Sequence, residues 1–438
     1  MNDTIAAIAT PPGEGAVALI RVSGPGSFQV LDRVFSTRSK RNTEDRRSVF
    51  GTLSDADGMV DQVLSTRFRA PASFTGEDTV EITCHGGTLV TARILRLLFV
   101  SGCRPAMPGE FTRRAFENGK IDLTQAEAIM DLIRARTDQA LRAASRQLEG
   151  QLGAKILDLR SHLLELVAHL EAWIDFPEED IDPADSKCLQ AGVCKVSASI
   201  RELLHTAHEG RILREGVRVA IVGKPNAGKS SLLNRLLGSN RAIVSPVAGT
   251  TRDTIEESIV LEGRLFHLID TAGLRETADS VEREGVARAE MAISGADIVL
   301  HLVDGTDSPA GREWIPQSLE VANKCDLPDF QADERAIAVS SLTGEGMCEL
   351  VARLVGRSQS PGVSGGESLL AINSRHQAHL EVALVNLQVV SDLLSTSAPL
   401  ELTALELRSA LDSIGRIVGS TSTEDILGEI FSRFCIGK

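Results

Sequence analysis

The sequence predicts a protein of mixed class, in which two α/β regions accompany a region of long helices. Residues 1–118 contain short apolar stretches broken by Gly, Pro and Asp, a pattern typical of a mixed α/β domain. Across residues 119–214, apolar residues recur three and four positions apart, which indicates amphipathic helices. Residues 215–356 alternate strand-like and helix-like segments, as a doubly wound α/β domain does.

The helical pattern returns in residues 357–438, after a stretch rich in Gly and Ser. We therefore interpret residues 215–356 as a domain inserted into one helical domain, whose two parts are residues 119–214 and 357–438. Two separate helical domains would give the same pattern, and the sequence does not choose between them. A length of 438 residues fits several cores of this kind.

The composition limits the class of protein. Hydrophobic residues make up 42% of the chain and charged residues 24%, as in soluble globular proteins. No apolar run approaches the roughly 20 residues that span a bilayer, so we expect a cytoplasmic protein without a membrane segment. The formal charge of −14 argues against a protein that coats RNA non-specifically. The seven cysteines contain no C-x-x-C pair, which argues against a disulfide framework or a zinc knuckle.

A phosphate-binding loop is predicted between an apolar strand, Val217 to Val222, and a helix. The loop reads Gly223-Lys-Pro-Asn-Ala-Gly-Lys-Ser230, and its glycines allow backbone N–H groups to surround phosphates. We expect Lys229 to reach the β and γ phosphates and Ser230 to bind Mg2+. The predicted GTP-binding residues of this segment are Asn226, Ala227, Gly228, Lys229, Ser230 and Ser231.

Two further motifs select the nucleotide, because the phosphate loop alone would suit both ATP and GTP. Asp270 follows an apolar strand, which places a carboxylate near the metal. Asp326 ends the motif Asn323-Lys-Cys-Asp326, and its carboxylate can accept hydrogen bonds from guanine N1 and N2, a donor pair that adenine lacks. These motifs predict a P-loop GTPase of the Ras-like type. Their predicted GTP-binding residues are Asp270, Thr271, Ala272, Gly273, Asn323, Lys324 and Asp326.

The hydrolysis mechanism is predicted to differ from that of Ras-like proteins. Leu274 occupies the position where those proteins place the glutamine that orients water. Thr251 is suited to complete the Mg2+ shell. Asn226 and backbone carbonyls of the loop before Thr251 would suit a monovalent cation, which could supply the charge of an arginine finger. The predicted GTP-binding residues of this loop are Ser245, Pro246, Val247, Ala248, Gly249, Thr250 and Thr251.

Over essentially its whole length the chain resembles the tRNA modification GTPases known as the MnmE or TrmE family. The resemblance extends beyond the nucleotide motifs to Ala9-Thr-Pro-Pro-Gly13, Leu19-Ile-Arg-Val-Ser-Gly24, Ser73-Phe-Thr-Gly-Glu-Asp78, Pro108-Gly-Glu-Phe-Thr112, Lys120-Ile-Asp-Leu-Thr-Gln-Ala-Glu127 and Phe434-Cys-Ile-Gly-Lys438. It implies an N-terminal domain that binds a tetrahydrofolate one-carbon donor and pairs two subunits, an inserted G domain, and a helical domain made from both flanks.

The resemblance also assigns residues to sites. The positions that match folate-contacting residues are Arg21, Glu81, Lys120 and Lys438, whose charges suit the folate carboxylates and the pterin N–H edge. The family's potassium ligands match Asn226, Ser245, Val247 and Thr250. Its water-activating glutamate matches Glu282, which from the pattern alone reads as a solvated helix charge. Cys435 is either a catalytic nucleophile in the folate pocket or a small buried residue.

Together these inferences predict a homodimeric, potassium-activated GTPase that works with a flavoprotein of the MnmG or GidA type. The pair, as a heterotetramer, would install a carboxymethylaminomethyl group at carbon 5 of the tRNA wobble uridine. Folate would supply the carbon and the partner would supply FAD. The alternative is a ribosome-assembly or translation GTPase that acts only as a binding switch.

Overall fold

The computed structural model describes residues 3–38, 45–175, 183–240, 256–270, 293–308, 315–331, 333–359, 370–396, 398–420 and 424–438. The chain divides into two compact units. The first comprises Met1–Met130, Leu148–Ser161 and Leu411–Lys438, and the second comprises Asp131–Gln147 and His162–Ala410. Because the helical residues are shared between these units, the four-part division expected from the sequence remains a prediction.

The strands form two sheets, one in each unit. In chain order they are β1 Ile5–Ile8, β2 Gly15–Ser23, β3 Phe35–Ser36, β4 Val49–Asp55, β5 Gly58–Phe68, β6 Thr79–Gly86, β7 Arg104–Pro105, β8 Val217–Val222, β9 Glu256–Leu261, β10 Arg264–Asp270, β11 Ile298–Asp304, β12 Leu319–Asn323 and β13 Ile337–Ala338.

Long helices precede and follow the strands of the second sheet along the chain, as predicted. They are α1 Ser27–Val34, α2 Thr88–Val100, α3 Glu110–Glu117, α4 Leu123–Arg134, α5 Asp138–Leu148, α6 Gln151–Asp175, α7 Pro183–His205, α8 Ala207–Glu215, α9 Lys229–Asn240, α10 Met347–Arg357, α11 Ser374–Ser395, α12 Leu400–Val418 and α13 Glu424–Ser432. In the described residues no helix is long and apolar enough to span a membrane.

The sheet of the first unit has seven strands in the order β3-β4-β5-β6-β2-β1-β7. Alternation along β2 separates its two faces: Ala18, Ile20 and Val22 are buried in the main core, which α1 and α2 also form. Arg21 lies between these residues in the sequence and therefore belongs to the opposite face. Arg21 and its cross-strand partner Glu81, two of the four candidate folate residues, are thus carried by the face that α1 and α2 do not cover.

A second core in the first unit joins the beginning of the helical segment to the last helix of the chain. Leu123 and Met130 of α4 are buried with Leu427, Phe431 and Phe434, which lie in and after α13. This packing brings the C-terminal residues back to the N-terminal region, as the sequence resemblance implied.

The sheet of the second unit has six strands in the order β13-β12-β11-β8-β10-β9. Its neighbouring strands are parallel except for β9, which runs antiparallel to β10. β8 lies inside the sheet, and its apolar residues Val217, Val219 and Ile221 are fully buried. Ligands of such sheets bind beyond the carboxyl ends of the strands, and the loop after β8 lies at that edge.

Candidate functional site

The loop between β8 and α9 has a backbone that only glycine can adopt at two positions. Gly223 has φ +150°, and a Cβ there would lie 2.1 Å from the carbonyl oxygen of Leu302. Gly228 has φ +98°, and its Cβ would lie 2.2 Å from Nδ2 of Asn323. The chain therefore turns tightly before α9 begins at Lys229, as a phosphate-binding loop requires.

The side chain of Lys229, the first residue of α9, reaches back into this loop. Its Nζ donates hydrogen bonds to the carbonyl oxygens of Gly223, at 2.7 Å, and Lys224, at 2.9 Å. These bonds place a positive charge in the concave side of the loop. Ser230 follows in the first turn of α9, and Asn226 adopts a positive φ of 67° at the top of the loop.

Asn323, at the end of β12, joins the guanine motif to the phosphate loop. Its Nδ2 donates to the carbonyl oxygen of Ala227 at 2.9 Å. Its Oδ1 accepts from both the backbone N–H and the hydroxyl of Ser341, at 3.0 and 2.9 Å. The side chain is buried, so each of these bonds fixes the relative position of two segments.

Asp326 is oriented by a serine that sequence reasoning missed. The fully buried Ser340 donates its hydroxyl to Oδ1 of Asp326, 14 positions earlier in the chain. Ser340 and Ser341 directly follow the short strand β13 and Val339. That position after a strand was the available signal, but serine is too common for the pair to stand out.

Lys324 is held by a second residue that the motifs did not reveal. Its Nζ lies 2.5 Å from Oδ2 of Asp304, at the end of β11, and Oδ1 of Asp304 accepts from Thr306. Burial raises the pKa of Asp304, but the hydrogen bonds from Lys324 and Thr306 outweigh it and bring the pKa below its ordinary value. Asp304 therefore remains ionised and holds the ammonium group of Lys324, a residue of the guanine motif.

Part of the predicted nucleotide site lies outside the described residues. These positions are Ser245, Pro246, Val247, Ala248, Gly249, Thr250, Thr251, Thr271, Ala272, Gly273 and Glu282. Asp270 is described as the last residue of β10, where it pairs in register with Ile221 of β8. The sequence predicted that Asp270 follows a strand, and the structure adds that this strand ends beside β8, which precedes the phosphate loop.

In the first unit, Arg21 and Glu81 form an ion pair across neighbouring strands. Nε and Nη2 of Arg21 donate to the same oxygen, Oε1 of Glu81, at 3.1 and 2.8 Å. The guanidinium carbon also lies 5.1 Å from the ring centroid of Phe74 and 5.8 Å from that of Phe111. Oε2 of Glu81 receives no hydrogen bond from the part of the chain that the structure describes. The resemblance assigned both residues to one site, and their direct pairing makes them one neutral and half-buried unit.

The other two candidate folate residues lie at the margins of the same unit. Nζ of Lys120 donates to the carbonyl oxygen of Pro71 at 3.0 Å. The chain end folds back so that the N–H of Lys438 donates to the carbonyl oxygen of Cys435 at 3.3 Å. Gly437 lies against β1, since a Cβ there would be 2.1 Å from the carbonyl oxygen of Ile8.

Cys435 is exposed to solvent. The interpretation of this residue as a small buried side chain is therefore wrong. Phe434 fills that structural role instead, because it is buried in the core formed by α4 and α13.

Comparison with known proteins covers both units. The family model of the GTP-binding protein TrmE N-terminus matches residues 4–120, and the model of the MnmE helical domain matches residues 123–435. A tRNA modification GTPase MnmE from Akkermansia muciniphila is 49% identical over an alignment of 446 positions. This alignment covers 99% of this chain and 99% of the relative. The MnmE from Geobacter sulfurreducens is 43% identical over an alignment of 458 positions, which covers 100% of this chain and 100% of the relative.

The chain belongs to the MnmE family of tRNA modification GTPases. Membership of the MnmE family confirms the resemblance seen in the sequence, the predicted fold class and the prediction of a GTP hydrolase.

Among solved structures, the chain is similar to the G domain of the T. maritima FeoB iron transporter, at 27% identity and a TM-score of 0.25. This match covers 33% of the chain and 99% of the FeoB domain. The FeoB G domain of Methanococcus jannaschii is 23% identical, with a TM-score of 0.24, and covers 33% of the chain and 98% of that domain. TM-scores of this size do not establish a shared fold over the chain.

Proposed function

We propose that this MnmE-family protein is a potassium-activated GTPase that modifies tRNA together with an FAD-dependent partner. The pair installs a carboxymethylaminomethyl group at carbon 5 of the wobble uridine, with a folate one-carbon donor as the carbon source. The observation that carries the nucleotide part is the bridge that Asn323 makes between the carbonyl of Ala227 and Ser341. It joins the phosphate loop and the base-recognition residues into one preorganised site.

The guanine base is recognised by Asp326, whose carboxylate accepts hydrogen bonds from the base N1 and N2 groups. Ser340 occupies one face of Oδ1 and orients the carboxylate before the base arrives. Lys229 meets the β and γ phosphates. Ser230, Thr251 and Asp270 are the residues that would surround Mg2+, whose preference for oxygen ligands fits this set. The other proposed GTP contacts are Asn226, Ala227, Gly228, Ser231, Thr271, Ala272, Gly273, Asn323, Lys324 and residues 245–250.

Potassium would be held by the side chain of Asn226 with Ser245, Val247 and Thr250. Asn226 lies in the phosphate loop before α9 begins, with a positive φ of 67°, a conformation in which asparagine is enriched. A cation there supplies the positive charge that an arginine finger supplies elsewhere. Glu282 then orients or deprotonates the attacking water.

The folate site is proposed around Arg21 and Glu81. Their ion pair presents guanidinium N–H donors next to a carboxylate oxygen without a bond from the described residues. A pterin ring carries both N–H and C=O groups along one edge, so it matches this alternation of donor and acceptor. Lys120 and Lys438 would meet the negative glutamate tail of the folate. Cys435, being exposed, can act as a nucleophile toward the one-carbon group.

The homodimer is proposed to form through the sheet face that carries this site. Phe50 and Leu64 are direct cross-strand partners on β4 and β5, and they are 60% and 43% exposed. Leu64 pairs with Thr83, two residues from Glu81 on the same face of β6. Contiguous exposed apolar side chains are a feature of contact surfaces, and this pair would contribute to one. Pairing two copies here would bring two folate sites to the subunit boundary.

The remaining partners follow from the proposed reaction. The substrate is tRNA in the cytoplasm, and a flavoprotein of the MnmG or GidA type supplies FAD within a heterotetramer. We assign folate binding and dimerisation to residues 1–118 and nucleotide hydrolysis to residues 215–356. Residues 119–214 and 357–438 are assigned to one helical domain made from two parts of the chain.

Mass spectrometry of tRNA wobble nucleosides tests this function. Cells that lack the protein should lose the carboxymethylaminomethyl nucleoside and recover it when the parent chain is restored. Restoration with the Asp326→Asn variant should fail. Normal wobble nucleosides in the deleted cells would instead favour the ribosome-assembly switch, and so would a purified protein that binds no reduced folate.

A further inference from the structure

A loop of ten residues between β5 and β6, here called the 69–78 loop, covers the Arg21–Glu81 pair. Its Phe74 is the side chain that lies 5.1 Å above the Arg21 guanidinium. Phe74 is 37% exposed, whereas Phe111, the ring that also lies beside Arg21, is fully buried. Of the two rings, only Phe74 can therefore face both Arg21 and a bound ligand.

The carboxylate of Glu77, near the end of this loop, is held by a buried arginine. Nη1 of Arg114 donates to both oxygens of Glu77, at 3.3 and 3.0 Å, and to the carbonyl oxygen of Asp3. Arg114 is 2% exposed. The fully buried Ser23 adds a hydrogen bond to Oε2 of Glu77 at 2.8 Å and another contact to Thr75 at 2.7 Å.

The backbone of the loop at Thr75 and Gly76 is held by the residues that follow α3. Nδ2 of Asn118 donates to the carbonyl oxygen of Thr75 at 2.7 Å. Gly76 has φ +78° and approaches the same residues closely, since a Cβ there would lie 3.0 Å from Cβ of Asn118 and 3.2 Å from Cγ of Lys120. Lys120, a proposed folate contact, thus lies against the loop that carries Phe74.

A buried ion network of this kind gives little net stability compared with apolar packing, but it can define one conformation. The conformation defined here is that of the 69–78 loop relative to Arg21. Three separate contacts, to Glu77, to Thr75 and to Pro71, hold residues on both sides of Phe74. Phe74 is thereby held at a set distance from the guanidinium.

We propose that Asn118 and Glu77 are positioning residues for the folate site, which act by holding Phe74 over Arg21. The inference rests on the folate function proposed above and deepens it. Phe74 has two effects in this arrangement. Its ring attracts the guanidinium through a cation–π contact, which keeps Arg21 beside Glu81. Its exposed edge forms a wall against which a flat pterin ring can pack.

The test is a double-mutant cycle on the purified full chain, with 5-formyltetrahydrofolate as the probe in isothermal titration calorimetry. Phe74→Leu keeps an apolar side chain but removes the ring, and we expect it to weaken binding about tenfold, the size of a half-buried cation–π contact. Asn118→Ala should weaken binding to a similar extent. Phe74→Tyr keeps the ring and should bind like the parent.

The double variant decides between positioning and general stability. If Asn118 acts through Phe74, the Phe74→Leu, Asn118→Ala protein binds no more weakly than either single variant. Losses that multiply would overturn the inference, and so would parent-like binding by Asn118→Ala. Glu117→Ala is the matched control, because this neighbouring exposed side chain bonds Arg113 on the surface of α3. It should bind as the parent does.

Glu77→Gln extends the test to the contact between Glu77 and Arg114. This variant should bind 5-formyltetrahydrofolate more weakly, while its GTP hydrolysis stays at the parent rate. Its thermal midpoint should also fall, since Arg114 loses a counter-charge, so the decision rests on the Asn118 variants. A parent protein that binds no folate would overturn the proposed folate function, and this inference with it. A parent that binds while the Phe74 and Asn118 variants are unaffected would overturn the inference alone.

Discussion

Asn323 donates its side-chain amide to the carbonyl oxygen of Ala227 at 2.9 Å, and this single bond ties the base-recognition segment to the phosphate loop. The same side chain accepts two hydrogen bonds from Ser341 on its other side. A change in the position of either segment is therefore expected to shift the other.

Asn323→Ala should weaken GTP binding about ten- to a hundredfold, because it leaves the buried partners of this side chain without a hydrogen bond. Titration with a fluorescent GTP analogue measures the change. Ser318→Ala, in the turn before β12, is the control and should bind normally. Unchanged affinity in Asn323→Ala would mean that the bridge does not organise the site.

Asp326→Asn should exchange guanine for xanthine specificity. The variant loses two charge-assisted hydrogen bonds to guanine, about 3 kcal/mol or more, which is roughly a hundredfold in affinity. The new amide can donate to the C2 carbonyl of xanthine. Competition between GTP and xanthosine triphosphate measures the exchange, and a variant that still prefers GTP would remove Asp326 from the base site.

GTP hydrolysis should depend on potassium, because Leu274 leaves no glutamine for water and a cation must supply charge in the transition state. Loss of an equivalent charge in arginine-finger systems slows hydrolysis roughly a thousandfold or more. Single-turnover rates in matched potassium and sodium chloride measure this dependence. Asn226→Ala should lose the potassium response, and Glu282→Ala should be slow in both salts while it still binds GTP. Equal parent rates in the two salts would contradict the cation mechanism.

Removal of residues 435–438 should abolish tRNA modification and leave GTP hydrolysis near the parent rate. Gly437 of this segment is buried against β1, and Phe434 remains in its core after the truncation. Wobble-nucleoside analysis and a phosphate-release assay measure the two activities. Cys435→Ser, which keeps the backbone contact, separates the chemistry of the thiol from the folding of the tail. If the truncated protein loses both activities, a folding defect explains the result.

Glu110 should contribute to an acid-sensitive part of the stability. Burial raises its pKa, but hydrogen bonds from Arg104 and Arg114 outweigh this and bring the pKa below the ordinary value of 4.5. A carboxyl with a lower pKa in the folded state stabilises the fold above its ordinary value, and this contribution is lost as pH falls through the folded value. Thermal midpoints between pH 7 and pH 3 should therefore fall below about pH 4.5.

In Glu110→Gln this acid-dependent component should be smaller, and the protein should be destabilised at pH 7 by about 3 kcal/mol, since a buried ion pair is broken. Arg433→Gln breaks an exposed pair with Glu429 and serves as the control, with little change expected. Parallel midpoint curves for the parent and Glu110→Gln would show that the ion pair does not respond to acid.

The residues that could be predicted from the sequence are those whose role depends on local order along the chain. Gly223, Lys229 and Asp270 lie where a strand ends and a helix or loop begins, so short motifs in that local context located them. The family resemblance placed Arg21 and Glu81 in one site.

The contacts between distant segments could not be predicted, because they depend on strand register. Arg21 and Glu81 meet only because β2 and β6 pair in one particular alignment. Arg114 is buried and forms ion pairs with Asp3, Glu77 and Glu110, and no motif in the sequence indicates these contacts. Ser340 carries no signal beyond its position after a short strand.

The contact of Gly437 with the carbonyl of Ile8 also affects how the protein is made. These two residues are separated by almost the whole chain, so the first strand leaves the ribosome long before its partner exists. The strands of the first unit's sheet all lie within the first 105 residues, whereas the contact at Ile8 cannot form until Gly437, which follows the last helix, has been translated.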